Sequence, residues 1–194
     1  MTTEDVIGAC IDRVLAEENG TFTNDPDDAG GPTKWGVTFH ELAEFRGHPI
    51  TVSDVESLTH EEAWSVLYTR FVRIPKFDQV AKLSTVIAAK LIDAGVLFGP
   101  PTVSMWLQRG LNAFSLRATK YSDVAIDGAV GPGTLGALTA FLSWRGKEGE
   151  GVLLEAITCM EGERAIELAE KRPQDADYVY GWILKRVLPP PTAA

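Results

Sequence analysis

Glu18, Asp27 and Thr33 fall within one short stretch of the chain, with eight residues between the first pair and five between the second. A glutamate, an aspartate and a threonine are residue types that hydrolysis of a glycosidic bond can use, since it needs two unlike polar environments. One carboxylic acid must be kept protonated by partly apolar surroundings so that it can protonate the leaving oxygen. A second polar group holds the attacking water or supports the oxocarbenium-like state. Asp28 duplicates the second carboxylate, and Phe22 and Trp35 offer flat apolar faces to a sugar ring. The plainer reading is a run of turn residues, with Asp25, Asp27 and Asp28 capping backbone amides and Glu17 and Glu18 on a solvated helix end. His40, His48 and His60 lack metal-ligand spacing, so neither a metal nor any other cofactor is expected.

Such chemistry requires a helix end facing a turn, and the flanking sequence supplies both. Val6, Ile7, Cys10, Ile11, Val14 and Leu15 recur at helical spacing behind a Thr2/Asp5 capping pair, predicting a helix that ends near Asn19-Gly20. The Gly, Pro, Asn and Asp that follow, up to Trp35 and Val37, predict a loop or small β-hairpin. Thr38 with Glu41, and Thr59 with Glu62, read as capping boxes opening two further helices. Residues 82 to 98 predict a central helix, MWLQRGLNAF another, and VAIDGAVGPGT a turn in which Thr134 caps the next helix. GKEGE at 146 to 150 reads as a loop before a long periodic segment, DYVYGWILKRV as a last short helix or turn, and LPPPTAA as a loose end.

An apolar share of 45% in 194 residues is enough for a buried core. A net charge of −9 spread along the chain excludes a general basic surface for nucleic acid. No apolar run reaches the ~18 residues of a membrane span, and the acidic N-terminus does not read as a secretory signal. The expectation is therefore a chain made in a cytoplasm, and a monomer is expected. Cys10 and Cys159 are too few for a disulfide framework and read as reduced, structural thiols.

The wording of the turn-rich stretch is more specific than its spacing. NDPDDAGGPTKWGVT resembles the diagnostic segment of the glycoside hydrolase family 108 muramidases, in which a helix-terminal Glu in an EGGY-like motif precedes an NDP-x-D-x-GG-x-T-x-aromatic-G-I/V-T run. Asn24, Asp25, Pro26, Asp28, Gly30, Gly31, Thr33, Trp35, Gly36, Val37 and Thr38 all fit. LTHEEAWSVLYTRF and KLIDAGVLFGPPTVSMWLQRGLN resemble the family's next helices, while AIDGAVGPGTLGAL and YVYGWILKRV resemble its C-terminal peptidoglycan-binding unit. The likeness covers most of residues 6 to 187. The EGGY position reads Glu18-Asn19-Gly20-Thr21-Phe22, one residue farther from NDP than in the family. Counted back without a gap, the acid position falls on Asn19, and Glu17 is a third option.

The resemblance implies a predominantly helical α+β chain with a lysozyme-like fold, a small β-hairpin and a C-terminal helical unit. It implies a catalytic region over residues 1–100, a peptidoglycan-binding-type unit over 101–187 and a tail over 188–194. Glu18 would be the general acid, Asp27 or Asp28 and Thr33 would manage the water, and Trp35 and Phe22 would touch sugar. The implied activity is that of an N-acetylmuramidase on bacterial peptidoglycan, set in a phage endolysin released through a holin-type lesion to act in the periplasm or cell wall. A non-catalytic wall-binding or structural protein of the same fold and a lytic transglycosylase are the alternatives.

Overall fold

The Thr2 hydroxyl accepts from the Asp5 amide while the Asp5 carboxylate accepts from the Thr2 amide, a reciprocal cap that starts α1 (Thr3–Glu18). Asn19 stops it in the left-handed conformation at φ 54. The computed structural model describes residues 2–24, 31–172 and 176–188. Asp25, Asp27 and Asp28 lie outside the described residues. The chain divides into two compact units, Met1–Ile74 and Pro75–Ala194.

In the first unit α1 turns Ile7, Ile11, Val14 and Leu15 inward, and it packs on α4 (His60–Tyr68), which buries Ala63, Val66 and Leu67. Burial of Ile11 and Leu15, both fully enclosed, contributes about 1.5–3 kcal/mol each. Strands β1 (Thr33–Lys34) and β2 (Val37–Thr38) pair antiparallel, Thr33 opposite Thr38 and Lys34 opposite Val37. Thr38 then caps α2 (Phe39–Arg46) with the expected box to Glu41. A helix not foreseen from sequence, α3 (Val52–Glu56), follows, capped through Thr51 and Asp54. The second foreseen box is only half made. Thr59 accepts from the Glu62 amide, but the Glu62 carboxylate grips Arg46 with two bonds of 2.8 and 2.9 Å, since a guanidinium fork is a stronger partner than one amide. After α4 the chain widens into a π-helical turn, Thr69–Arg73.

In the second unit the periodic run 82–98 is shorter as a helix than its pattern. Lys82 and Leu83 close a turn after α5 (Phe77–Ala81), and Ser84 caps α6 (Thr85–Phe98) by accepting from the Ile87 amide. Gly99 separates α6 from α7 (Pro100–Phe114), and the prolines occupy the helix start, where no amide is needed. Gln108 and Asn112 of α7 stitch the glycine-rich turn. Gln108 donates to Asp127 Oδ1 and the Ala129 carbonyl and accepts from the Asp127 and Gly128 amides, and Asn112 exchanges two bonds with Val124. Gly131, not Thr134, is the N-cap of α8 (Pro132–Lys171), and the Thr134 hydroxyl faces Gln108 and the Ala129 carbonyl. The loop expected at 146–150 is absent. In its place two helical stretches meet across a kink at Gly146.

Beyond α8, α9 (Ala176–Trp182) and a π-helical turn (Ile183–Val187) pack on it. Arg186 donates to both the carboxylate and the carbonyl of Asp93, so that aspartate anchors the C-terminal turn. Cys159 is exposed rather than structural, whereas Cys10 is half-buried and donates to the Val6 carbonyl. The predominantly helical α+β class with one small hairpin holds throughout. Among the described residues no helix is long and apolar enough to cross a membrane.

Candidate active site

The first unit brings the end of α1 against the tip of the hairpin. The loop between the strands is two residues, Trp35 and Gly36, both at positive φ (57 and 71). That is the pattern of a type I′ turn, whose twist matches the strands it joins. For a tryptophan the left-handed region costs about 1–2 kcal/mol. The cost is offset where the indole lands. Its atoms lie 2.4–2.7 Å from where a Cβ on Gly20 would be, and it meets the His60 ring edge-on at 5.1 Å between centroids.

The reciprocal contact comes from the helix. Glu18, the last residue of α1, lays its side chain over Gly36, with Cγ 2.9 Å and the carboxyl carbon 3.1 Å from a Cβ built there. Both glycines sit at positive φ, near 70°. Glycine is therefore required at each place twice, once for the backbone and once for the side chain lying on it. Glu18 is exposed and makes no ion pair or hydrogen bond with the described residues. Asn19 serves as the left-handed C-cap, its amide donating to the Leu15 carbonyl.

Thr33 stands at the base of the hairpin. Its backbone exchanges two 2.9 Å bonds with Thr23, extending the hairpin by a third short segment. Its hydroxyl donates to the Gly31 carbonyl at 2.9 Å, which leaves the oxygen's lone pairs as acceptors. Phe22, beside Thr23, is half-buried. The structure thus joins Glu18, Gly20, Trp35 and Gly36 directly, and ties Thr33 to the same hairpin.

Two features were not singled out from sequence. His60 packs on Trp35, and a lone histidine in an N-terminal helical turn carries no signal of that. Beside β2 a cavity of about 520 Å³ opens, with Thr38, Phe45, Arg70 and Arg73 among its walls. Arg70 pairs with Glu41, and burial lowers the pKa of its guanidinium. The π-helical turn presents both arginines to this cavity, and such turns recur at functional positions.

A family model described as "Glycosyl hydrolase 108" matches residues 11–99, and one described as "Predicted Peptidoglycan domain" matches residues 102–187. Among solved structures, that titled "Structure of Brucella abortus SagA" is similar over 95% of this chain and 90% of its own, with a TM-score of 0.65 and 18% identity, a likeness of fold. No curated protein matches the chain.

Proposed function

We propose that this chain, whose residues 11–99 match the glycosyl hydrolase 108 model and whose residues 102–187 match a peptidoglycan domain, is a glycoside hydrolase acting on peptidoglycan and, more narrowly, an N-acetylmuramidase. The bond hydrolysed is the β-1,4 link from N-acetylmuramic acid to N-acetylglucosamine. The observation that carries this reading is the helix-terminal carboxyl of Glu18 lying on the Gly36 turn, without a partner among the described residues. A carboxyl used as a proton donor must not be held in an ion pair, which would favour its charged form.

Glu18 protonates the glycosidic oxygen as the bond to the anomeric carbon breaks. Asp27, nominated by its spacing from Glu18, or Asp28, which fits the NDP-x-D run, supports the developing positive charge or draws a proton from water, and the Thr33 hydroxyl accepts from that water. Trp35 and Phe22 offer ring faces to the sugars. The free protein leaves Glu18 in solvent. A sugar laid across the turn excludes water from both partners.

Purified sacculi incubated with the protein are expected to release reducing ends, and Glu18→Gln to lower that rate by about 10²–10⁴-fold with an unchanged circular dichroism spectrum. Products lighter by one water in mass spectra would replace hydrolysis with transglycosylation. The exposure of Glu18 favours one other reading, a wall-binding protein without activity. It prevails if sacculi bind the wild type yet no reducing end appears. The natural setting proposed is a phage endolysin reaching the wall through a holin lesion, supported by the family resemblance alone. Lysis of host cells only on co-expression with a holin is its test.

A further inference from the structure

Two helical stretches of α8 meet at Gly146, where φ is 61 and ψ −150. That backbone conformation is strained for any residue with a side chain. Three residues on, a Cβ at Gly149 would fall 2.1 Å from Arg145 Cβ, so the turn after the break also needs glycine. The break gives up helical hydrogen bonds and joins two helical stretches across a kink. What it creates is a cavity of about 460 Å³, lined by Phe114, Phe141, Trp144, Arg145, Glu148 and Val152.

The walls are of three chemical kinds. Phe141 is buried and stacks on Phe114 at 5.8 Å between centroids, giving an apolar floor. Trp144 is 36% exposed and Val152 48%, so the cavity presents apolar surface to solvent. Two cations converge on the indole, the Arg145 guanidinium 3.8 Å and Lys120 Nζ 5.3 Å from its centroid. Neither has an acidic partner among the described residues, although the whole chain carries −9. The ring quadrupole holds such cations in place without neutralising them, so they remain able to meet an anion. Glu148 adds an acceptor for hydroxyl or amide protons.

An acetamido sugar bearing a peptide has the matching parts: a pyranose face and methyl group for the aromatic walls, N–H and O–H donors for Glu148, and carboxylates for the cations. We propose that the cavity at the Gly146 break is the site through which the C-terminal unit recognises peptidoglycan, and that it takes an anionic muramyl peptide. The inference rests on peptidoglycan being the partner of this chain, but not on Glu18 being catalytic.

The probe is purified N-acetylglucosaminyl-N-acetylmuramyl tetrapeptide, titrated calorimetrically into the full chain, with tri-N-acetylchitotriose as the uncharged control. The one glycosidic bond of the probe is not the bond assigned to the hydrolase, so binding is read without cleavage. Wild type is expected to bind the muramyl peptide more tightly than the chitotriose, with affinity falling as salt rises. Trp144→Ala, and separately the exposed pair Lys120→Gln with Arg145→Gln, are each expected to weaken binding by about tenfold or more, the second also flattening the salt dependence. Glu18→Gln is expected to bind as wild type does. Equal affinities for wild type and the Lys120/Arg145 variant, both folded by circular dichroism, would overturn the proposal even if Trp144→Ala proves unstable. Uncut sacculi with binding that still depends on Trp144 would remove the hydrolase reading and leave this one standing.

Discussion

Arg46, in the first unit, reaches Asp54 at 2.7 Å and Glu62 through two bonds, and all three side chains keep contact with water, at 22%, 35% and 29% exposure. In the second unit Lys90 holds Glu161 and the Arg186 carbonyl, while Arg186 holds Asp93, at 11%, 1%, 15% and 11% exposure. Both clusters fasten three segments of chain. They differ in what surrounds the charges. In the open cluster hydrogen bonds outweigh desolvation, and the carboxylates lie below their usual range: Asp54 at about 2, chiefly through the Thr51 hydroxyl and amide, and Glu62 through Arg46. In the closed cluster desolvation dominates, and the Glu161 carboxyl is pushed up in spite of Lys90, with Oε1 left without a hydrogen bond among the described residues. The same residue types therefore make a local fastening in one unit and a point of vulnerability in the other.

The largest expected effect comes from removing one partner of the buried pair. Lys90→Met strands Glu161 in an apolar site and is expected to cost about 3–5 kcal/mol, whereas Arg46→Met is expected to cost about 1 kcal/mol, because water can replace its bonds. Denaturant titrations of the two variants check this, and equal losses would erase the contrast between the clusters.

Next in size are the glycines that shape the two candidate sites. Gly20→Ala meets both a positive φ of 70 and the Trp35 indole, while Gly146→Ala meets strain alone, with open space where the Cβ would go. The first is expected to lose about 2–4 kcal/mol and to alter near-ultraviolet dichroism as the indole shifts. The second is expected to lose about 1–3 kcal/mol. Thermal melts order them, and a larger loss at Gly146 would mean that the break serves the core of its unit rather than a cavity.

The smallest effect is a difference of sign with pH. Asp54 and Glu62, with folded pKa values below the unfolded ones, contribute stability that is complete above about pH 4 and is lost as pH falls toward about 2. Glu161, raised by burial, binds its proton more readily folded than unfolded, so its own contribution improves as pH falls through that raised value. Hydrogen exchange at pH 5 and pH 3, corrected for intrinsic rates, is expected to show α2–α4 losing protection while α6 and the middle of α8 change less.

Local rules carried much of the first unit. The Thr2/Asp5 and Thr38/Glu41 boxes, the 3.6-residue apolar spacing of α1 and the turn chemistry before Val37 each act within a few residues, and each formed where the sequence places it. Glu62 departed from its box because its stronger partner, Arg46, is sixteen residues away. GKEGE reads as a loop because glycines weaken a helix, yet the chain spends only one of them on a break.

For the candidate sites the division is similar. The order of residue types in NDPDDAGGPTKWGVT and in the EGGY-like stretch from Glu18 to Phe22 indicated glycosidic chemistry and nominated Glu18, Thr33 and Trp35, since a short motif is written along the chain. Tertiary structure alone decided that Glu18 lies on Gly36, that Trp35 lies on Gly20, and that Arg186 anchors to Asp93. Those contacts join segments far apart in sequence or depend on backbone angles near 70°, and neither composition nor periodicity encodes which distant atoms will meet.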